Sequence, residues 1–209
     1  MKPIKFLITI FLLAIYSLST SAQHISVGPS VGAGLAMASN NQDGVDVSPQ
    51  FMWNAGVIFV YSTKTHFALG ADLKYSAEGY EYKLSGFENK VNVHLNYLRL
   101  PVRAIYFFGK YGDYVRPKVF IGLTPGLLVS AKSNDQDVKD GVNSFDLGAH
   151  AGAGINIRLA SAMWLNTDVT YYHGFLDFGN GDKSILNSNL GINIGVAFGI
   201  GGSNTTEKK

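Results

Sequence analysis

The chain has 209 residues, of which 46% are apolar, 12% aromatic and only 15% charged, with 24 glycines and no cysteine. These figures exclude a disordered chain, which is highly charged and poor in aromatics, and they exclude a disulfide framework or a thiolate site. Past the N-terminus they also exclude a spanning helix, because no apolar run approaches the ~20 residues a bilayer demands.

Residues 1–22 are the first predicted element, an export signal. Lys2 and Lys5 form a basic start, Phe6 to Leu18 an apolar stretch, and Ser19-Thr20-Ser21-Ala22 a small-residue cleavage site, with Gln23 opening the mature chain. Without Lys2 and Lys5, Lys+Arg falls from 17 to 15 and equals the 15 Asp+Glu, so the remainder is formally neutral. It lacks the basic footprint of a nucleic-acid binder.

From there to residue 200 the dominant period is two, the period of strands. In 25–37, Ile25, Val27, Val31, Ala33, Leu35 and Met37 alternate with serines and glycines. In 51–62 one face carries Phe51, Trp53, Ala55, Val57, Phe59 and Tyr61, yet Met52, Ile58 and Val60 make the other face nearly as apolar. The same alternation runs through 66–78, 93–108, 115–131, 145–158 and 164–173, and it returns in Leu190, Ile192, Ile194, Val196, Phe198 and Ile200. Pro101 interrupts the fourth segment, where a missing N–H predicts a bulge or irregularity. The connections alternate: 38–50, 79–92, 132–144 and 174–188 are long and polar, whereas 63–65, 109–114 and 159–163 are short.

Eight such segments with one-sided long loops predict an all-β, eight-stranded antiparallel up-and-down transmembrane β-barrel over residues 23–200, followed by a disordered polar tail at 201–209. Alternation alone leaves a soluble, lipocalin-like barrel as the rival. The polar face decides, because a surface facing bulk water is rich in Lys and Glu. Here that face is mostly Gly, Ser, Asn and Ala, which suits a narrow lumen. Aromatic residues mark both ends, as interfacial girdles require. Phe51, Trp53, Tyr75, Tyr80, Tyr82, Phe145, Tyr171 and Phe175 lie toward the long loops. Tyr61, Phe67, Phe108, Tyr111, Tyr114 and Trp164 lie toward the short turns.

Local motifs add a resemblance. Tyr97-Leu98-Arg99-Leu100-Pro101-Val102 running to Tyr106-Phe107-Phe108, together with Lys118 to Gly122, Gly152-Ala153-Gly154 and Tyr171-Tyr172-His173-Gly174-Phe175, resembles the small outer-membrane β-barrel (porin-like, PorT-like) family of Gram-negative bacteria. The resemblance implies an outer-membrane location and, for Gly191 to Phe198, a strand read by the barrel-insertion machinery. Members often carry an acidic residue where Arg99 stands, which implies a rearranged internal charge pairing here.

The inferred lumen face carries a charge network of Asp72, Lys74, Glu78, Arg99, Arg103, Arg116, Lys118, Asp146, Arg158 and Asp168. In so narrow a barrel these charges are expected to pair as a plug, with a thin, weakly anion-preferring path as the alternative. Catalysis is not expected. The candidate bases are His66, His150 and His173, but His150 and Asp146, though they share a face, stand about 13 Å apart along the strand, a symmetric turn at 159–163 sets Asp168 beside Gly154 and not His150, and no Gly-x-Ser-x-Gly elbow is present. Asp135, Asp137 and Asp140 miss the EF-hand spacing, so neither metal nor cofactor is expected. The expected partners are outer-membrane lipid, the insertion machinery and an unidentified loop ligand. The functional expectation is a structural or envelope-contact barrel acting through its external loops. A narrow porin-like channel, a PorT-like secretion accessory and a soluble binder stand as alternatives.

Overall fold

The computed structural model describes residues 24–40, 45–63, 65–84, 90–176 and 185–200. The export signal and the polar tail lie outside the described residues. The strands are β1 (His24–Asn40), β2 (Val45–Ser62), β3 (Phe67–Leu84), β4 (Lys90–Arg99), β5 (Val102–Phe107), β6 (Val115–Ser133), β7 (Gln136–Asp137), β8 (Phe145–Ala160), β9 (Met163–Gly174) and β10 (Ile185–Ile200). All pairings are antiparallel, and β1 pairs with both β2 and β10, which closes the sheet. β4 and β5 are two halves of one wall strand between β3 and β6, and β7 only folds back on the end of β6. The wall is therefore a ring of eight strands. Closure satisfies every strand edge within the sheet, the condition for a sheet in hydrocarbon.

The break in the fourth wall strand falls at Leu100-Pro101, where the sequence predicts an irregularity. Two bonds hold the wall together there: the Asp72 amide donates to the Pro101 carbonyl, and the Leu100 amide to the Pro125 carbonyl, each at 2.9 Å. The register against β6 also shifts between Asn96 and Tyr97.

The apolar face points outward. Leu100 and Ile194 are 44% and 48% exposed, while Arg103 is 6% exposed. The soluble-barrel alternative requires the reverse. Phe51, Trp53, Tyr75, Phe145, Tyr171 and Phe175 form an exposed band near one end, and Phe67, Tyr106, Phe108, Tyr114 and Phe198 another near the short turns. Three aromatic assignments need correction. Tyr80 and Tyr82 turn inward onto an apolar cluster, and Trp164 is buried beside Tyr111, with ring centroids 5.8 Å apart.

The loops at the long-loop end are shorter than their polar sequences suggest. β1 reaches Asn40 and β2 starts at Val45, and β3 reaches Leu84 before β4 begins at Lys90. Much of 38–50 and 79–92 is thus wall strand. β1, β2, β3 and β6 run 17 to 19 residues, whereas a tilted strand crosses a bilayer in about 9–11.

The surplus stands in water, and its polarity is inverted. In β4 Val93, Leu95 and Tyr97 point inward and Lys90 and His94 outward. Past residue 97 the charged Arg99 is inside and Leu98 and Leu100 are outside. The face that carries the apolar residues thus switches near residues 96–98.

Candidate functional site

The lumen is the only place where the fold gathers charge away from water among the described residues, and it has three zones. At the short-turn end, Val60, Ala68, Ile105, Phe107 and Phe120 form an apolar plug. This explains why β2 is apolar on both faces: Ile58 and Val60 fill the interior while Val57 and Phe59 face lipid. At the opposite end, Ala38, Val93, Leu95, Tyr97, Leu128 and Ala131 form a second plug. Val138 and Val142, from the segment following β6, pack over it.

Between the plugs lie two belts of charge. In the upper belt Arg99 makes a forked pair with Glu78, Nε to Oε1 and Nη2 to Oε2, the latter at 2.7 Å. Its Nη2 also donates to Asp146 Oδ2 at 3.0 Å. The Tyr172 hydroxyl donates to the same oxygen at 2.8 Å, and Asn187 Nδ2 at 3.2 Å. The guanidinium is sandwiched between the Tyr97 and Tyr172 rings, 4.4 and 4.5 Å from their centroids. Arg99 thus takes its carboxylate partners from β3 and β8.

In the middle belt Arg103 holds Asp72 through two parallel 2.9 Å bonds. Lys74 Nζ lies 3.2 Å from Asp72 and donates to Asn193 Oδ1 at 3.2 Å. Lys118 Nζ pairs with Asp168 at 2.9 Å and donates to Asn166 at 2.9 Å.

Glycine sets two of these contacts. Arg99, Gly126 and Asp146 share one rung of the ladder, and so do Lys118, Gly154 and Asp168. Each pair therefore spans two strand spacings across a residue with no side chain. A Cβ at Gly154 would collide with Asp168 Oδ1 and the Thr167 carbonyl oxygen. Gly154→Ala is expected to cost about 1–3 kcal/mol as overpacking in urea unfolding of the detergent-folded barrel. A wild-type midpoint would show that the ion pair does not depend on that gap.

Two predicted residues stand apart from both belts. Arg116 is buried without an ion pair among the described residues; its guanidinium lies 3.8 Å over the Phe107 ring and Nε donates to the Gly109 carbonyl at 3.4 Å. Burial pushes the neighbouring Tyr111 hydroxyl above its ordinary value, with the Arg116 charge opposing. Arg158 is half-buried beside the 108–114 turn, where its amide donates to the Tyr114 carbonyl. It enters neither belt, because it sits on the short-turn side of Asn156, with only the Ala160–Met163 rung beyond it.

Tyr97, Tyr172, Asn166, Asn187 and Thr124 belong to the site although sequence reasoning did not single them out. The parity of Tyr97 with Arg99, of Asn166 and Tyr172 with Asp168, and of Thr124 with Lys118 was the available signal, whereas Asn187 fell in 174–188, read as a loop, and had none. The histidines meet no carboxylate in the described contacts. His150 Nδ1 pairs with Thr124 Oγ1 at 2.8 Å, His173 Nδ1 with Ser188 Oγ at 3.0 Å, and His66 Nδ1 with the Phe107 carbonyl at 2.9 Å. Asp146 Oδ2 is taken by Arg99, Tyr172 and Asn187.

Comparison with known proteins places this geometry. The sequence profile described as "Outer membrane protein beta-barrel domain" matches residues 21–180. The chain belongs to that family. It is accordingly a small barrel of the Gram-negative outer membrane, and its greasy exterior faces lipid.

OprG from Pseudomonas aeruginosa has a similar fold, with a TM-score of 0.57 at 12% identity over 86% of this chain and 96% of that one. Neisserial surface protein A aligns with a TM-score of 0.49 at 17% identity over 85% and 98%. The outer membrane enzyme PagL aligns at 0.41 and 16% identity over 78% and 97%. The OprG likeness supports the fold and nothing finer. No protein with a curated description matches in sequence.

Proposed function

We propose that the protein works at its outer rim rather than through its lumen, as a lipid-anchored envelope-contact barrel without catalytic activity. The observation that carries this reading is the pair of apolar plugs, built around Phe107 and Leu95, which close the charged interior at both ends. A conducting path needs a continuous wet track, and plugs of this kind dewet it. The rim supports the reading as well: walls that overshoot the bilayer present Lys90, His94 and Lys132 to water above the aromatic band. In this reading lipid is the lateral partner and the insertion machinery the partner during assembly. An external ligand meets the rim and the connections between wall strands. The absence of a carboxylate from the described contacts of His150 and His173 supports a non-catalytic role.

Planar-bilayer recording of the purified protein is expected to give a silent trace. Phe107→Ala combined with Leu95→Ala is expected to introduce discrete current steps. Steady conductance from the wild-type protein would replace this reading with the narrow channel. Replacing residues 134–143 by a short turn is expected to remove an envelope-adhesion phenotype while heat-modifiable gel mobility, the sign of a folded barrel, persists.

A further inference from the structure

Within the hydrocarbon the ring is closed, but at its outer rim neighbouring wall strands part. β6 leaves β8 beyond the Leu127–Phe145 rung, and the chain covers the β6 edge exposed there with its own backbone. It turns back at Asn134 and Asp135, both at positive φ, so that Gln136 and Asp137 pair with Ser133 and Lys132. The Val138 amide then donates to the Ala131 carbonyl at 3.1 Å, and the Leu128 amide to the Ser144 carbonyl at 2.8 Å. Extended backbone thus occupies this edge.

A second parting has no such cover among the described residues. β1 leaves β2 beyond the Ala36–Gln50 rung, directly above the rung of the girdle residue Phe51. From there β1 stays with β10, in pairs from Met37–Ser188 to Asn40–Ile185, and β2 stays with β3, in pairs from Pro49–Tyr80 to Val45–Leu84. Met37 to Asn40 and Val45 to Pro49 form no ladder with one another, and the connection between them lies outside the described residues. Each arm therefore turns a row of backbone N–H and C=O groups toward the split. Proteins blunt such edges with proline and charge. The β2 arm has both, Pro49 and Asp46, whereas Met37-Ala38-Ser39-Asn40 has neither. The unguarded edge also stands over an apolar floor, since Ala38 belongs to the outer plug and Val47 packs against that plug. Water can solvate the edge, but only a strand gains ladder bonds and buried side chains together.

We infer that the rim edge of β1, Met37 to Asn40, is a strand-addition site for an extended segment of a partner polypeptide with apolar residues at alternate positions. Main-chain hydrogen bonds hold the segment on β1 as β7 is held on β6. Its apolar side chains meet the floor at Ala38 and Val47, and the intervening ones face water. This gives the rim contact proposed above its mode of binding, and the two fail separately. Steady conductance would remove the plugged-barrel reading and leave the edge as it is, whereas an edge that takes no strand would leave the silent trace and the adhesion test untouched.

The chain has no cysteine, so Ser48→Cys, at an exposed position across the split, supplies a single tether. The probe is a synthetic peptide that alternates valine and threonine and carries a cysteine on a short Gly/Ser linker. Disulfide tethering raises its effective concentration to about the millimolar range. In the folded, tethered barrel, exchange of the split-facing amides among Met37 to Asn40 is expected to slow by at least about tenfold. The same peptide N-methylated along its backbone keeps the side chains and loses the donors, and it should tether without protecting. If Ser48→Cys does not fold, the wild-type barrel with excess free peptide gives the same comparison. Unchanged exchange with the peptide in place, or equal protection by its N-methylated form, overturns the assignment. So does protection of these amides without peptide in a barrel that sediments as a dimer, because a second copy then holds the edge.

Discussion

Arg99→Met is expected to cost the barrel about 3–5 kcal/mol, the penalty for stranding buried charge. The substitution keeps much of the side chain's length and apolar bulk, so the loss comes from what it abandons. Glu78 and Asp146, both nearly inaccessible, would be left as two carboxylates without their cation. The Tyr172 hydroxyl and Asn187 amide would still reach Asp146, but neutral donors cannot offset a net charge in so dry a place. The rings of Tyr97 and Tyr172 would also lose the cation between them. Urea unfolding followed by the fluorescence of Trp53 and Trp164 measures the effect. Arg99→Lys should fall between, because an ammonium keeps the charge without the planar fork. Adding Glu78→Gln and Asp146→Asn to Arg99→Met should restore most of the loss. An unchanged midpoint in Arg99→Met would mean that water already solvates this belt.

The direction of each wall residue was legible wherever alternation was strict. Leu123, Ile194 and Arg103 point as the period of two and the scarcity of Lys and Glu on the polar face require. The location of Pro101's irregularity was legible for a local reason, the missing donor. The outer rim was not legible, because the apolar residues change sides relative to the charges there. Tyr80, Tyr82 and Val91 continue the inward parity of Glu78 and Arg99, but they fall in 79–92, whose polar neighbours resemble a loop when hydropathy alone is read.

Ion-pair partners were not legible either. Lys74 stands opposite Arg99 in the β3–β4 register, yet its ammonium goes to Asp72 and to Asn193 on β10. Contacts across a lumen depend on curvature and stagger of the whole ring, which no single strand encodes. That Asp168 falls beside Gly154 was legible from a symmetric turn at 159–163, and the register agrees, whereas Gly126 was visible only as composition. Their use, as gaps over which Arg99 and Lys118 reach the next strand, needs the register of three strands at once.

Leu123→Arg tests the orientation of the entire wall, and it is expected to destabilise the folded barrel by about 2–4 kcal/mol, the cost of an arginine on the lipid face near the midplane. Leu123 is 54% exposed on the outer face of β6. It lies about midway between Val119, which pairs with the girdle residue Tyr106, and Leu127, which pairs with the girdle residue Phe145. Its side chain therefore meets acyl chains far from either headgroup layer, where snorkelling offers an arginine least relief. The companion substitution Val115→Arg, at the short-turn end of the same strand and also exposed, should cost no more than about 1 kcal/mol, since the penalty fades near the interface. Unfolding in lipid vesicles gives both numbers, and their ratio is the informative quantity. Equal and small penalties at both positions would mean that this face meets water. A depth-dependent penalty requires a slab of hydrocarbon centred on Leu123, and no soluble barrel supplies one.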